Sequence, residues 1–312
     1  MALITVMVVV AIVVAISSRM MLEHQLDVRR AANLLHGDQV IQHLLALETW
    51  AREVLLEDRQ EGTLDHEREN WATQIAPIAA DGGLVAGRIL DQQGLFNLNN
   101  LLDESGRAEP GAKAQLERLI RQVSEDGGGT EAEALVNAIV DWLDPDSEVS
   151  HPGGAEDLDY AVKDPAYRTA GASFVSPTEL LLVEGMTYEL LDSLRPYVTA
   201  LPDRTSLNVN TAPTPVLQAL SADIDEDLAG ELVRERGEDP FDTAEQFRLR
   251  LKNSLGEAGM EQLDGAALGV ASDYFLVESQ ARFGDVALNM RHLLARPGNE
   301  TRVLLRSLGE SW

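Results

Sequence analysis

The chain is predicted to be α+β. It has one long N-terminal helix, strands in two separate stretches, and a block of short helices between them. Three observations carry this prediction. Residues 1–18 are uncharged and run without a break into apolar residues at three- and four-residue spacing as far as Arg59. Apolar and polar residues alternate around tight turns near residues 84–98 and again across 272–306. Between these stretches, segments with capping residues and one apolar face take over.

The first helix comes first in the argument. Residues 2–16 are apolar except Thr5, and the first charge is Arg19. Eighteen uncharged residues make a helix of roughly 27 Å, enough to span or nearly span a bilayer core. A cleaved secretion signal is the rival, and Ala15, Ser17 and Ser18 would fit its cleavage site. However, no basic residue precedes the apolar run. Leu22, Leu26, Leu34, Leu35, Ile41, Leu44, Leu45 and Leu47 then keep the helical period going, and no proline interrupts it. Gly37 is the weak point, at a cost of about 1 kcal/mol against Ala.

Asp81-Gly82-Gly83 marks a turn. Residues 84–90 and 95–98 read as two strands of a hairpin around Asp91-Gln92-Gln93-Gly94. A helix is expected over 113–124, broken by 125–129, and the next is expected to start at Thr130 as N-cap, with Glu133 completing a capping box. Ala134, Leu135, Ala138, Ile139 and Leu143 form its apolar face, and it stops at Asp144-Pro145. A polar loop, 145–172, follows; a connection that long is functional, metal-organised or disordered. Ser176-Pro177-Thr178-Glu179 starts another helix. Two short helices joined at Val183-Glu184-Gly185-Met186 resemble a helix-hairpin-helix, and a weaker copy without the glycine lies at 213–247.

A small internal repeat runs through this part. Phe96-Asn97-Leu98-Asn99-Asn100 and Leu207-Asn208-Val209-Asn210-Thr211 both alternate apolar residues with Asn and both precede a helix. The last Asn or Thr is suited to cap that helix, and the plain reading is that these Asn satisfy turns and caps. Residues 272–282, 286–293 and 301–306 form a three-stranded meander that completes the sheet begun near residue 84.

A membrane helix that runs unbroken into an amphipathic one resembles the N-terminus of type IV pilin-like proteins. The stretches DQQGLFNLNNLL, DWLDPDSE, GGAEDLDY, SPTELLLVEGM, LRPYVTALP and SLNVNTAPTPVLQAL resemble, in order and over nearly the whole chain, the K-type minor pseudopilin family of bacterial type II secretion. The resemblance implies a type IV pilin-like fold, with the long helix packed on an antiparallel sheet and a large all-α insertion containing helix-hairpin-helix or SAM-like segments. It implies units at 1–22 (transmembrane), 23–100, 101–205, 206–270 and 271–312. It also implies a structural rather than enzymatic role at the tip of the periplasmic pseudopilus. The expected partners are I-, J- and possibly H-type minor pseudopilins, the major pseudopilin and the inner-membrane secretion platform. Membrane lipid would be met through residues 2–18, with the bulk of the chain in the periplasm. The family's basic leader, cleaved after a glycine, is missing, so Met1 reads as the mature and methylated N-terminus or as an initiator Met. Most pilin-like subunits carry Glu at the fifth mature position, where this chain has Thr5. A carboxylate there costs about 2.5–3.5 kcal/mol in a bilayer unless a neighbour's amine compensates it. A Thr at this position fits a subunit with nobody above it.

Charge and composition narrow the chemistry. The formal net charge is -27, with 52 acids against 25 bases. That argues against nucleic acid and anionic lipid surfaces and suits cations. DNA uptake through the hairpin segments is the alternative function. It is disfavoured because residues 176–251 hold far more acids than the arginines that would meet phosphate, and Glu184 sits beside Gly185. There is no cysteine, and the six histidines form no close metal-binding pair. No nucleophile elbow, phosphate loop or dinucleotide fingerprint is present. A glycosidase pair would call for a cleft with aromatic platforms, and aromatics are scarce here.

One acidic constellation stands out: Asp144, Asp146, Glu148, Glu156, Asp157 and Asp159, with Asp164 beyond them and Gly153 and Gly154 between. Alternate carboxylates on a loop can converge on one Ca²⁺, which takes 6–8 oxygen ligands. The run starts like an EF-hand loop but has Val149 at the sixth position and Ala155 at the twelfth. Spacing alone leaves open a calcium loop of another kind and a merely solvated acidic loop. The family resemblance implies calcium in the inserted helical part.

Overall fold

The structure, a computed structural model, describes residues 2–80, 82–124, 129–260, 263 and 266–309. Met1, the expected mature N-terminus, lies outside them, as does Asp81 of the expected turn. Helix α1 (Ala2–Glu61) passes unbroken through Gly37, whose surroundings are open. No described residue before Val40 is buried. From there Val40, Leu44, Leu47, Ala51 and Leu55 form one buried stripe. Thr5 donates its hydroxyl to Ala2 O at 2.9 Å, which satisfies it within its own helix.

After a 3₁₀ turn (Asn70–Ala72), β1 (Ile75–Ala80) and β2 (Gly83–Asp91) form an antiparallel hairpin. The chain leaves the sheet at Asp91. This corrects the expected hairpin: residues 95–98 do not return along β2. Instead β3 (Phe96–Asn97) opens the insertion, followed by a 3₁₀ turn (Leu98–Leu101), α2 (Pro110–Val123), α3 (Gly129–Leu143) and α4 (Asp157–Ala161). A 3₁₀ turn (Pro177–Leu182), α5 (Tyr188–Leu194) and β4 (Val198–Thr199) close this unit, with β4 parallel to β3. A second unit repeats the plan with β5 (Leu207–Asn208), α6 (Thr214–Gln218), α7 (Glu226–Glu238), α8 (Ala244–Met260) and β6 (Leu268–Gly269). Here β6 is parallel to β5. The chain then re-enters the sheet as β7 (Tyr274–Phe283), β8 (Val286–Ala295) and β9 (Arg302–Leu308). The sheet order is β1-β2-β7-β8-β9, so β2 and β7, far apart in sequence, pair along their whole length.

Four larger cores follow from this layout. Val40, Leu44, Val85, Phe283 and Met290 join α1 to one half of the sheet, and Ala51, Leu55, Trp71, Ile89 and Phe275 join it to the other. The first inserted unit packs around Leu98, Leu119, Ile139, Leu143 and Tyr160, and the second around Val216, Leu217, Leu232 and Phe247. Full burial of side chains this size contributes about 1.5–3 kcal/mol each. The molecule is thus α+β as its sequence predicts, with the helical part inserted between β2 and β7.

The Asn repeat does more than cap. Asn97 Oδ1 accepts from Asn99 N, and Asn208 Oδ1 accepts from Asn210 N. The second Asn of each copy then clamps a distant phenylalanine backbone. Asn99 bonds Phe174 N and O, and Asn210 bonds Phe241 N and O, all at 2.8–3.0 Å. Each repeat therefore ties the entry of its unit to a loop near its far side, with buried amides that a mismatched partner would leave unsatisfied. The caps expected at Asn100 and Thr211 are absent: Asn97 caps the turn after β3, and the Thr211 hydroxyl goes to Asp91. Thr130 is likewise already inside α3 rather than its N-cap. Ser176 and Glu179 do form the expected capping box, and Gly185 takes the left-handed φ of +82° that the hairpin turn requires.

Candidate metal centre

The polar loop after α3 is laid on one face of that helix. Ala134, Asn137, Asp141 and Asp144 recur at three- and four-residue spacing and so share this face. The loop bends at Pro145 and runs out along the helix. Asn137 Nδ2 donates to Pro152 O at 2.8 Å, and Gly153, at a φ of +76°, packs so close to Ala134 that an added Cβ would overlap the Ala134 side chain. The chain then returns to Glu156, the N-cap of α4.

The loop brings carboxylate oxygens of Asp144, Asp146 and Glu156 within 4.8 Å of one another. Asp144 and Glu156 are buried and Asp146 is exposed. Asp144 Oδ1 and Glu156 Oε1 are buried without a hydrogen-bond partner. Among the described residues, no lysine or arginine pairs with any of the three. Burial, then the charges of Asp146 and Asp141, pushes Asp144 up to about 6. Burial, then Asp141, Asp144 and Asp146, pushes Glu156 up to about 7. Buried unpaired acceptors that repel one another are what an oxygen-preferring cation would satisfy.

The other three expected ligands do not join this group. Glu148 is exposed, and what it adds is its backbone N–H, which donates to Asp146 Oδ1 at 2.8 Å. Asp157 Oδ1 accepts from Thr169 N and Oγ1 at 3.1 and 3.0 Å. Asp159 Oδ2 accepts from Glu156 N at 2.9 Å, half of a capping box. A helix N-terminus attracts carboxylates for its own reasons. Asp157 and Asp159 hold α4, and α4 holds Glu156. Asp141 escaped the sequence reading, although its spacing from Asp144 places both on one face of α3.

A second group, Asp58, Asp65 and Glu69, has the same dimensions. Its cation is already built in: Arg296, 1 % exposed, pairs with Asp58 at 2.6 Å and with Asp65. A third arrangement has the outline of a nucleophile-base-acid row. Ser279 Oγ lies 3.5 Å from His292 Nε2, and His292 Nδ1 lies 2.7 Å from Glu48 Oε2. All three are buried between α1 and the sheet, and Ser279 Oγ donates to Met290 O. No substrate can reach them, so the row is structural.

Two family models described as type II secretion system protein K match residues 94–203 and 207–271. The chain is 34% identical to the type II secretion system protein K of Pseudomonas aeruginosa, over 99% of this chain and 92% of that one. It is 30% identical to the protein of that name from Aeromonas hydrophila, over 99% and 96%. A chain in the crystal structure of the GspK-GspI-GspJ complex of the enterotoxigenic Escherichia coli type 2 secretion system superposes with a TM-score of 0.81 and 26% identity. That match covers 90% of this chain and all of the other.

Proposed function

Because the chain belongs to the type II secretion system protein K family, we propose that it acts as the K-type minor pseudopilin of such a system and joins I- and J-type subunits at the tip of a periplasmic pseudopilus. The carrying observation is the superposition, across the whole length of the other chain, on a protein from the GspK-GspI-GspJ complex. On this reading residues 2–18 anchor the protein in the inner membrane, which fits α1, a helix long and apolar enough to cross it. The pilin-like body stands in the periplasm, carrying inserted units at 101–205 and 206–270. H-type and major pseudopilins and the inner-membrane platform are further partners. Its role is mechanical and associative. Thr5 supports the terminal position, since its hydroxyl is satisfied inside α1 and asks nothing of a subunit above.

Calcium belongs to the same reading. Asp144, Asp146 and Glu156 would hold the ion, and the ion would supply the positive charge that their buried oxygens lack. Its work is structural: it fastens the long loop and α4 to α3.

Co-expression with the I- and J-type subunits of the same system tests the assembly. A tag on this chain should recover all three subunits as one stoichiometric complex in detergent. Recovery of this chain alone, folded, would reject the reading. Crosslinking from residues 5–12 should find neighbours on one side only if the subunit is terminal.

A further inference from the structure

Asp141 lies at the neck of the loop that carries the metal centre. It is fully buried in α3. Both of its carboxylate oxygens accept from Ser150 N, at 3.2 and 3.0 Å. Gly154 N donates to Ser150 O at 2.8 Å, so the outgoing and returning strands of the loop are joined at that point. An added Cβ on Gly154 would overlap both Asp141 Oδ2 and Ser150 O. The carboxylate therefore fills the space between helix and neck. Farther out, Asn137 holds Pro152 O and is itself fixed by Lys113 Nζ at 2.6 Å.

The arms of this neck lead directly to the site. One runs back from Ser150 to Asp146, and the other runs on from Gly154 to Glu156. Asp144 lies one helical turn beyond Asp141 on the same face of α3. The spacing of the three converging carboxylates is thus set where Asp141 grips the neck. Among the described residues, no cationic side chain pairs with Asp141, and its charge acts on both Asp144 and Glu156. Without a cation nearby, that charge opposes the site; with one, it adds to the attraction.

We propose that Asp141 is the positioning residue of the metal centre: its carboxylate pins the Ser150–Gly154 neck, sets Asp146 and Glu156 against Asp144, and supplies outer negative charge that favours a divalent cation. This rests on the calcium reading above and extends it to a residue that does not itself converge on the cluster.

The full chain in detergent, titrated with CaCl₂ by calorimetry and melted with CaCl₂ or EDTA, tests it. Asp141→Asn keeps the shape and an acceptor for Ser150 N but removes the charge. It should weaken calcium binding at least tenfold while its melting temperature in EDTA stays level with the parent's or rises. Gly154→Ala keeps the charge and forces the neck apart, and should also abolish most of the calcium-dependent rise in melting temperature. If Asp141→Asn binds calcium within twofold of the parent, the inference is overturned. It is equally overturned if the variant loses the same stability in both buffers, since that is what a merely structural buried residue would do. A parent protein that neither binds calcium nor melts higher with it would instead remove the calcium reading itself.

Discussion

Asp58, Asp65 and Glu69 near the C-terminal end of α1, and Asp144, Asp146 and Glu156 in the inserted unit, gather three carboxylates into the same small space. The first group is closed by Arg296, which also donates to Leu55 O and Ser272 O and lies over the Phe275 ring. Among the described residues, no cationic side chain pairs with the second group, and two of its buried oxygens have no partner. Both regions pack acids against a helix. One carries its counter-charge in the sequence; the other, on the calcium reading, would take that charge from solution. In both, burial pushes carboxylates upward: Asp58 and Asp65 in the first, Asp144 and Glu156 in the second. The two groups share their dimensions, and what distinguishes the first is the buried Arg296 guanidinium.

The largest break in this contrast comes from Arg296→Met. It strands Asp58 and Asp65 without their partner, and removing one member of a buried pair costs about 3–5 kcal/mol. Urea denaturation should show that loss equally with calcium and with EDTA. Recovery in calcium would mean that the first cluster also takes an ion.

Next in size is Glu156→Gln. For the parent, free Ca²⁺ at 100 times its Kd should add ~2.7 kcal/mol if only the folded state binds it. The variant should lose most of that increment yet be no less stable than the parent in EDTA, because a repelling charge is gone. Thermal melts of the two proteins in both buffers give all four values.

Asp91 sharpens the comparison from a third side. It is buried at the join between sheet and insertion, met by donors from Gln93 N, Asn208, Thr211 and Ser272 but, among the described residues, by no cation. Burial outweighs those hydrogen bonds and pushes it up to about 6. A carboxylate raised in the folded state contributes stability that is fully present below the unfolded value near 4 and is lost as pH rises through about 6. Asp91→Asn should remove that downward slope, a change of about 3 kcal/mol across the window. Denaturation midpoints at half-unit pH steps would expose it, and parallel curves for parent and variant would contradict it.

Smallest is Glu148→Gln. Its side chain is exposed and outside the cluster, so stability should shift by less than about 0.5 kcal/mol with the calcium response intact. A lost response would return Glu148 to the ligand set.

How far the sequence could be read depended on how local each signal was. Helix α1 announces itself through an uncharged run and an unbroken period, and β7 and β8 through alternation around Gly284. Strand β1 does not: Ile75, Ala76, Pro77, Ile78, Ala79 and Ala80 have no polar alternation. Without β1, β2 was paired with the wrong neighbour. Six acids are legible as a candidate metal loop, but which of them converge depends on the fold. Whether a carboxylate turns to an N–H group, as Asp157 and Asp159 do, or to its fellow acids depends on where α4 begins. Asp141 was hidden for a related reason. The helical period of α3 was used to find its apolar face, and the polar face beside it carries the loop.

The pairing of β2 with β7 also imposes an order in time. Leu84 meets Arg282, and Asp91 meets Phe275, so each partner of β2 arrives roughly 190 residues after it. A chain synthesised from its N-terminus presents β1 and β2 early. One edge of β2 then stays open until both inserted units have emerged. An open strand edge is a template for the wrong partner. Each inserted unit closes on its own short parallel bridge, β3 with β4 and β5 with β6, which brings the two ends of a long excursion back together. The period during which this protein is most exposed to misassembly therefore ends when β7 emerges, and the compactness of the two helical units sets how near β7 then lies to the edge that waits for it.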